Sequence, residues 1–281
     1  QGKVLALVLD SDDTLVSAAD TQQLYSINLS SLHQAKGSDE EKDKIFFEPL
    51  TSSFHQPNFR GEGGITGIDI ALWRQVVATT GKDHTIRLWN INEKKQEAVH
   101  QFEEEPTSLA LHPSGLYAAV SFNEKVQILS LLLDGFQHCR DLNIRAVNLV
   151  RFSRGGQYVA CCAGTVVQIY HTFTGVLYCS LRGHTNKIKS LVWGHLDSSL
   201  MTVGAEGCTF FWDLLPAPKK SVEKQHTTQF PFTSGVTPPD GSIGYLSTSE
   251  KVIREVPFLK SVDPTTGLDG QVRDPRDIEV G

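Results

Sequence analysis

The residues best suited to chemistry in this 281-residue chain are carboxylates, histidines and thiols, and their spacing decides what they can do. The most pointed group is the run Val4-Leu5-Ala6-Leu7-Val8-Leu9-Asp10-Ser11-Asp12-Asp13-Thr14-Leu15, an apolar strand ending in closely spaced carboxylates. His184, Asp213 and Asn90 could be mistaken for parts of a hydrolytic set. Each sits at a repeat-periodic position described below, and catalytic residues have no reason to recur at a structural period. Glu103-Glu104-Glu105 reads as a solvated loop, with an acidic contact as the sharper alternative. Cys139, Cys161, Cys162, Cys179 and Cys208 are too few and too irregularly spaced for a disulfide framework, and none forms a Cys-x-x-Cys pair that could clamp zinc. They read as reduced thiols, and adjacent Cys161 and Cys162 on one strand point to opposite faces.

The run from Val4 resembles the first motif of haloacid-dehalogenase-type phosphatases. That resemblance implies Asp10 as nucleophile and Asp12 as acid/base, both holding magnesium. Such phosphoryl transfer also needs a later lysine and a distant acidic pair at a strand end, within a parallel α/β sheet. The chain has no second strand terminus of that kind and no long amphipathic helix pattern. A magnesium-dependent phosphatase using Asp10 and Asp12 is therefore the remote alternative, and the expectation is no enzyme, no cofactor and no metal site.

Over 281 positions, 40% hydrophobic and 21% charged residues suffice for one or two buried cores. Glycine (23) and proline (12) are at background level, which excludes collagen-like or linker composition. With 32 acidic against 26 basic residues the net charge is -6, so nucleic acid and anionic membrane are not expected partners. The longest apolar stretches, Val4 to Leu9 and Leu129 to Leu133, fall far short of the roughly 20 residues that cross a bilayer as a helix. The chain opens with Gln1, which suggests a piece of a longer protein.

A repeat organises the rest. The apolar residue that ends a short hydrophobic run before a turn recurs at Leu9, Ile70, Leu111, Phe152, Trp193 and Val236, at intervals of 61, 41, 41, 41 and 43. Turn chemistry follows most of them, as in His112-Pro113-Ser114-Gly115 and Ser153-Arg154-Gly155-Gly156. Asp10 to Asp13 fall in register with His112 to Gly115, which makes them a turn. A second ladder runs through Trp89, Leu129, Tyr170 and Trp212, 40, 41 and 42 residues apart. Between the ladders lie β-branched runs such as Val76-Val77-Ala78-Thr79-Thr80 and turns such as Gly81-Lys82-Asp83-His84 and Gly204-Ala205-Glu206-Gly207. Four short strands per period of about 40 to 45 residues describe a propeller blade.

Gly183-His184 with Trp212-Asp213, and Gly81-Lys82-Asp83-His84-Thr85-Ile86-Arg87-Leu88-Trp89-Asn90, resemble the WD40 signature. The resemblance implies a hydrogen-bonded chain in each intact blade: a His before the first strand, a Ser or Thr on the second, an Asp before the third and the Trp on the third. One blade offers His184, Thr202 and Trp212 with Glu206 in the acidic place. Another offers Thr79 or Thr80, Asp83 and Trp89, with Gly63-Gly64-Ile65 where the Gly-His is due. On this reading no blade is complete, and Trp89, Trp212, His184, Asp83 and Asp213 are structural residues.

The expected fold is all-β, an incomplete WD40 β-propeller of about five four-stranded antiparallel blades covering residues 1–260. The blades run at about 1–60, 61–103, 104–144, 145–183, 184–225 and 226–260, the last incomplete. Residues 30–57, with the charged run Lys36 to Lys44, are expected as a surface insertion, and 261–281 as a linker or a further insertion. The turns between second and third strands share a rim with the connections between blades, and that rim gathers the candidate interface residues Lys82, His84, Asn123, Glu124, Arg145, Asn186, Lys187 and Glu206. Mixed charges and amides suit a protein interface better than a small-molecule pocket.

An ordered series extends the resemblance across residues 4 to 256. It includes Asp13-Thr14-Leu15-Val16, Ser108-Leu109-Ala110-Leu111-His112-Pro113-Ser114-Gly115 and Leu181-Arg182-Gly183-His184-Thr185-Asn186-Lys187-Ile188-Lys189-Ser190-Leu191-Val192-Trp193, and it is similar to a family of axonemal WD-repeat proteins. The resemblance implies a non-enzymatic scaffold in the cytoplasm and cytoskeleton of the cilium or flagellum that helps assemble or regulate inner-arm dyneins on doublet microtubules. Its partners would be axonemal proteins, dynein or doublet-associated proteins. A WD40 substrate adaptor of a ubiquitin ligase or signalling complex is the other expectation, since fold alone does not fix function.

Overall fold

In the computed structural model, the described residues are 4–9, 14–19, 24–28, 48–49, 55, 64–71, 73–74, 76–133, 135–194, 197–214, 219–221, 231–237 and 243–257. They form 23 strands and, among them, no α-helix. The chain divides into two compact units, Gln1–Phe152 and Ser153–Gly281.

In the first unit, β1 (Val4–Leu9), β2 (Thr14–Ala19), β3 (Leu24–Asn28) and β4 (Glu48–Pro49) make one antiparallel sheet in chain order. The next sheet is β5 (Ile65–Ala71), β6 (Val76–Gly81), β7 (Thr85–Asn90) and β8 (Lys95–Gln101). A third holds β9 (Ser108–Leu111), β10 (Tyr117–Ser121), β11 (Val126–Leu131) and β12 (Phe136–Leu142). The unit ends on β13 (Val147–Phe152).

The second unit opens with the meander β14 (Tyr158–Ala163), β15 (Val166–His171) and β16 (Leu177–Arg182). Then come β17 (Ile188–Trp193), β18 (Ser199–Gly204), β19 (Thr209–Asp213) and β20 (Lys219–Ser221). The last sheet has three strands, β21 (Phe232–Val236), β22 (Ile243–Thr248) and β23 (Ile253–Pro257).

Alternation along the strands sets which sheet each side chain meets. On β6 every residue is buried, because both faces are covered. Val76 and Ala78, with Ile86 and Leu88 of β7, pack against Leu109, Leu111, Ala118 and Val120 of the third sheet. Val77 and Trp89 turn the other way, into a cluster with Leu24, Ile65 and Ile68. Small residues at Ala78 and Ala118 let the sheets approach. In the second unit Met201, Val203 and Phe211 meet Phe232, Leu246 and Val256 in the same manner.

The leading strands are also tied by hydrogen bonds. Leu111 N–H donates to Asp69 Oδ2 at 2.7 Å, and Arg151 Nη1 donates to the Leu109 carbonyl at 3.1 Å. At Gly67 any Cβ would lie 2.9 Å from Leu109 Cβ, so glycine permits this approach. In the second unit Asp197, buried and at φ 57°, accepts from Ser153 Oγ at 2.7 Å and from Gly155 N–H at 2.9 Å.

Candidate functional site

The most tightly wired polar group lies inside the β5–β8 sheet. Trp89 Nε1–H donates to Thr79 Oγ1 at 2.8 Å, and Thr79 Oγ1 lies 2.8 Å from His55 Nε2. On its other side His55 Nδ1 lies 2.8 Å from Asp83 Oδ1. Donor logic fixes the protons. A carboxylate can only accept, so Nδ1 carries the hydrogen. Nε2 then accepts from the threonine hydroxyl, whose oxygen accepts from the indole. Asp83 is held in turn by Thr85, through Oγ1 at 2.8 Å, and by Arg87 Nη2 at 3.3 Å. His55 is 2% exposed and Thr79 is fully buried. A Cβ at Gly81 would fall on the His55 ring, so the close approach of turn and imidazole depends on that glycine.

The β17–β20 sheet repeats the chain with one change. Trp212 Nε1–H donates to Thr202 Oγ1 at 2.9 Å, Thr202 Oγ1 lies 2.7 Å from His184 Nε2, and His184 Nδ1 lies 2.5 Å from Glu206 Oε1. Glutamate reaches the imidazole but leaves its second oxygen, Oε2, buried with no hydrogen-bond partner among the described residues, as is Thr209 Oγ1. In the earlier sheet the corresponding carboxylate has both oxygens engaged.

One expectation is corrected here. The reading that Gly63-Gly64-Ile65 leaves the earlier blade without its histidine is wrong: His55 fills the place from ten residues before β5. It also lies within residues 30–57, expected as a surface insertion. Of that stretch Glu48 and Pro49 pair with β3 and His55 is buried, while the remainder lies outside the described residues. The choice between Thr79 and Thr80 falls to Thr79, since Thr80 Oγ1 instead accepts from Thr66 at 3.1 Å.

The third sheet replaces the threonine-to-tryptophan link with packing: Val120 stands in the place of Thr79 and Leu129 in that of Trp89, both in the apolar cluster, while Ser121 Oγ meets Thr107 at 2.9 Å as Thr80 meets Thr66. In β14–β16, Tyr170 OH donates to Gln168 at 3.0 Å. Cys161 and Cys162 are both fully buried, and burial pushes the Cys161 thiol up to about 12 and that of Cys179 up to about 11. Neither is a nucleophile at neutral pH. Burial likewise pushes the Asp69 carboxyl up, against the opposing charge of Arg151 and the N–H of Leu111.

The candidate interface residues occupy turns. In the first unit Lys82 and His84 lie between β6 and β7, Asn123 and Glu124 between β10 and β11, and Arg145 in the connection after β12. Backbone bonds join turn to connection: Lys82 N–H to Gly64 O at 3.0 Å, Phe102 N–H to His84 O at 2.7 Å and Ala146 N–H to Asn123 O at 2.7 Å. Arg145 is highly exposed and pairs with Glu124 at 2.8 Å. In the second unit Asn186 and Lys187 are exposed, and the Lys187 carbonyl accepts from Ala205 N–H at 2.9 Å. Glu206, expected both on the rim and in the acidic place of the chain, points inward to His184. Asp213 ends β19, exposed, with its backbone paired to Ser199 and Lys219.

Asp10, Asp12 and Lys36 to Lys44 lie outside the described residues, as do 261–281. Among the described residues no group of three His, Cys, Asp or Glu side chains is arranged to hold a metal, and no helix is long and apolar enough to cross a membrane.

Antiparallel four-stranded sheets in which a third-strand tryptophan, a second-strand threonine, a turn carboxylate and an upstream histidine are wired in series are WD40 blades of a β-propeller. The family model described as "WD domain, G-beta repeat" matches residues 53–90, a span that begins just before His55. The β-propeller domain of Cps50 (Swd1) from Myceliophteria thermophila matches in fold, with a TM-score of 0.70 over 92% of this chain and 83% of that one at 10% identity. In sequence the chain is similar to cilia- and flagella-associated protein 57 of Mus musculus, 30% identical over 246 residues, 88% of this chain and 19% of that protein. It is 28% identical to cilia- and flagella-associated protein 57 A of Tetrahymena thermophila over 208 residues, 73% of this chain and 15% of that protein. The 57 C protein of the same organism is 28% identical over 220 residues, 73% of this chain and 16% of that protein. The chain thus spans about a fifth or less of the length of these relatives.

Proposed function

We propose that this chain is a non-enzymatic protein-interaction scaffold of the ciliary or flagellar axoneme, and that it helps assemble or regulate inner-arm dyneins on doublet microtubules. The observation that carries the axonemal reading is the match over 88% of the chain to a mouse protein named for cilia and flagella. The scaffold reading is supported by where the polar side chains go. The buried His, Thr, Asp and Trp groups are spent on one another inside the blades, which leaves the turns to meet partners. Lys187 is exposed, and the exposed pair of Arg145 with Glu124 contributes about 0 to 1 kcal/mol to stability, so a partner can exchange it at little cost. Arginine is also enriched at interfaces.

The test is rescue of a null cell with full-length protein carrying Arg145→Glu and Lys187→Glu. The expected result is normal protein level with reduced inner-arm dynein occupancy. Normal occupancy at normal level would mean that this rim does not carry the contact.

A further inference from the structure

Four large apolar side chains exposed on the first unit share one end of its blades. In each sheet the turns from first to second and from third to fourth strand open at the end opposite the rim of Lys82, Asn123 and Arg145. That end holds Trp73, 85% exposed in the β5–β6 turn, Leu116, 52% exposed in the β9–β10 turn, and Leu132 and Leu133, 44% and 94% exposed in the β11–β12 turn. The three turns adjoin. A Cβ at Gly115 would lie 2.9 Å from Arg74 Cβ and 3.2 Å from Ala71 Cβ, so the β9–β10 turn rests on the β5–β6 turn. Leu131 N–H donates to the Leu116 carbonyl at 2.8 Å, which seats the β11–β12 turn beside it. The four side chains leave on the order of 400 Å² of apolar surface to water, the size of the largest patch on an ordinary monomer, and such patches are often functional.

Shape and charge together select what covers this patch. Trp73 and Leu133 stand almost wholly free of their neighbours, so the patch is convex and its occupant must supply the concavity. A second copy of the chain does not, since a symmetric contact would press convex surface to convex surface and bury about 800 Å², below the roughly 1,200 to 2,000 Å² of stable interfaces. The β9–β10 and β11–β12 turns carry no Asp, Glu, Lys or Arg side chain among the described residues, and Arg74 is already matched by Glu97 at 3.7 Å. The β7–β8 turn at the same end mixes Glu93 with Lys94 and Lys95. That cationic excess is too small to hold the apolar tips on an anionic bilayer.

We propose that this patch seats in an uncharged apolar groove of a partner protein. A projecting tryptophan brings large, rigid area, and tryptophan is enriched among the anchors that fill desolvated pockets. A groove that wraps Trp73 and Leu133 also covers Leu116 and Leu132 at their flanks, which a flat or convex partner does not. The proposal rests on the scaffold reading and gives it a second contact, at the opposite end from the polar rim. Two modest contacts on one chain hold more tightly than either alone.

The experiment is hydroxyl-radical footprinting of the full-length protein, once purified and once in detergent-extracted axonemes, read by mass spectrometry of its peptides. Trp73 and Leu133 should oxidise at least about fivefold more slowly in axonemes, because the centre of a protein contact excludes water, while Val99, half-exposed on β8, should change by less than about twofold. The protection should survive about 0.5 M salt, which screens charge pairs. Trp73→Ser with Leu133→Ser should return Leu116 and Leu132 to the rates of the purified protein, with melting like the parent because both replaced side chains are exposed. Equal rates in the two samples, slowing shared by Val99, or Leu116 still protected in the double variant would overturn the proposal. So would protection that grows with concentration in the purified protein, which assigns the patch to a second copy, protection of intact cilia that detergent removes, which assigns it to a membrane, or protection lost in salt. Absence of the protein from the axonemal pellet would overturn the scaffold reading. The same footprint on the soluble fraction then decides the patch, slow oxidation keeping it and free oxidation overturning it.

Discussion

Replacing Thr79 with valine keeps the shape of a fully buried side chain and removes one oxygen. Two partners lose it together: Trp89 Nε1–H and His55 Nε2, each 2.8 Å away. Neither has water to turn to, because Trp89 is 1% and His55 2% exposed. A buried donor or acceptor left unmatched costs about 1 to 3 kcal/mol, so two place the loss between about 2 and 6, with about 3 as the working expectation. The imidazole cannot escape by moving its proton to Nε2, since Nδ1–H would then be lost to Asp83. Thr80→Val is the control. It is equally buried, but its oxygen serves only the Thr66 hydroxyl, and about 1 kcal/mol is expected. The assay pairs the shift in urea midpoint with exchange of the Trp89 indole proton, which reports the local opening of this blade. Thr79→Val should speed that exchange by about two orders of magnitude, given that 1.4 kcal/mol is about tenfold. A loss below about 0.5 kcal/mol, or one no larger than for Thr80→Val, would refute the serial chain.

Other expectations follow the same logic. Trp212→Ala should cost about 3 to 5 kcal/mol by core truncation, and a variant that melts like the parent would remove Trp212 from the core. Asp69 has a folded pKa raised above 3.8, so the native state holds its proton more tightly than the unfolded chain does. Wild type should then lose stability relative to Asp69→Asn as pH rises from 3.8 through the raised value, measured by urea midpoints; a gap that stays constant or moves the other way contradicts the burial argument. Cys139, exposed and free, should react with a maleimide at neutral pH while Cys161 and Cys162 stay unlabelled until denaturant is added, as mass spectrometry of peptides would read out.

Much of the fold was legible in the chain because blade strands are short, alternate strictly and end in recognisable turns. Leu9, Leu111, Phe152, Trp193 and Val236 are each the last residue of a leading strand, and Ile70 is one short of it. Trp89 and Trp212 fall on third strands for the same reason. What escaped notice involves variable loop length and long-range partners. His184 lies 18 residues before its threonine, whereas His55 lies 24 before Thr79. The six extra residues sit where the histidine meets the first strand, so the offset seen at His184 points to Gly61 instead. Asp197 is bonded to a turn 42 to 44 residues upstream, and no local pattern marks it. Glu206 stands on a turn, where glutamate is usually solvated, yet it also holds the acidic place of the WD40 pattern, and its added methylene lets it reach inward to His184.

The most direct measurement is detergent extraction of isolated cilia, followed by quantification of the full-length protein in the axonemal pellet and in the soluble fraction. A scaffold bound to the doublets should remain in the pellet and leave it only with salt that strips dyneins and their associated proteins. Recovery of the protein in the detergent-soluble fraction, or its absence from cilia, would contradict the account.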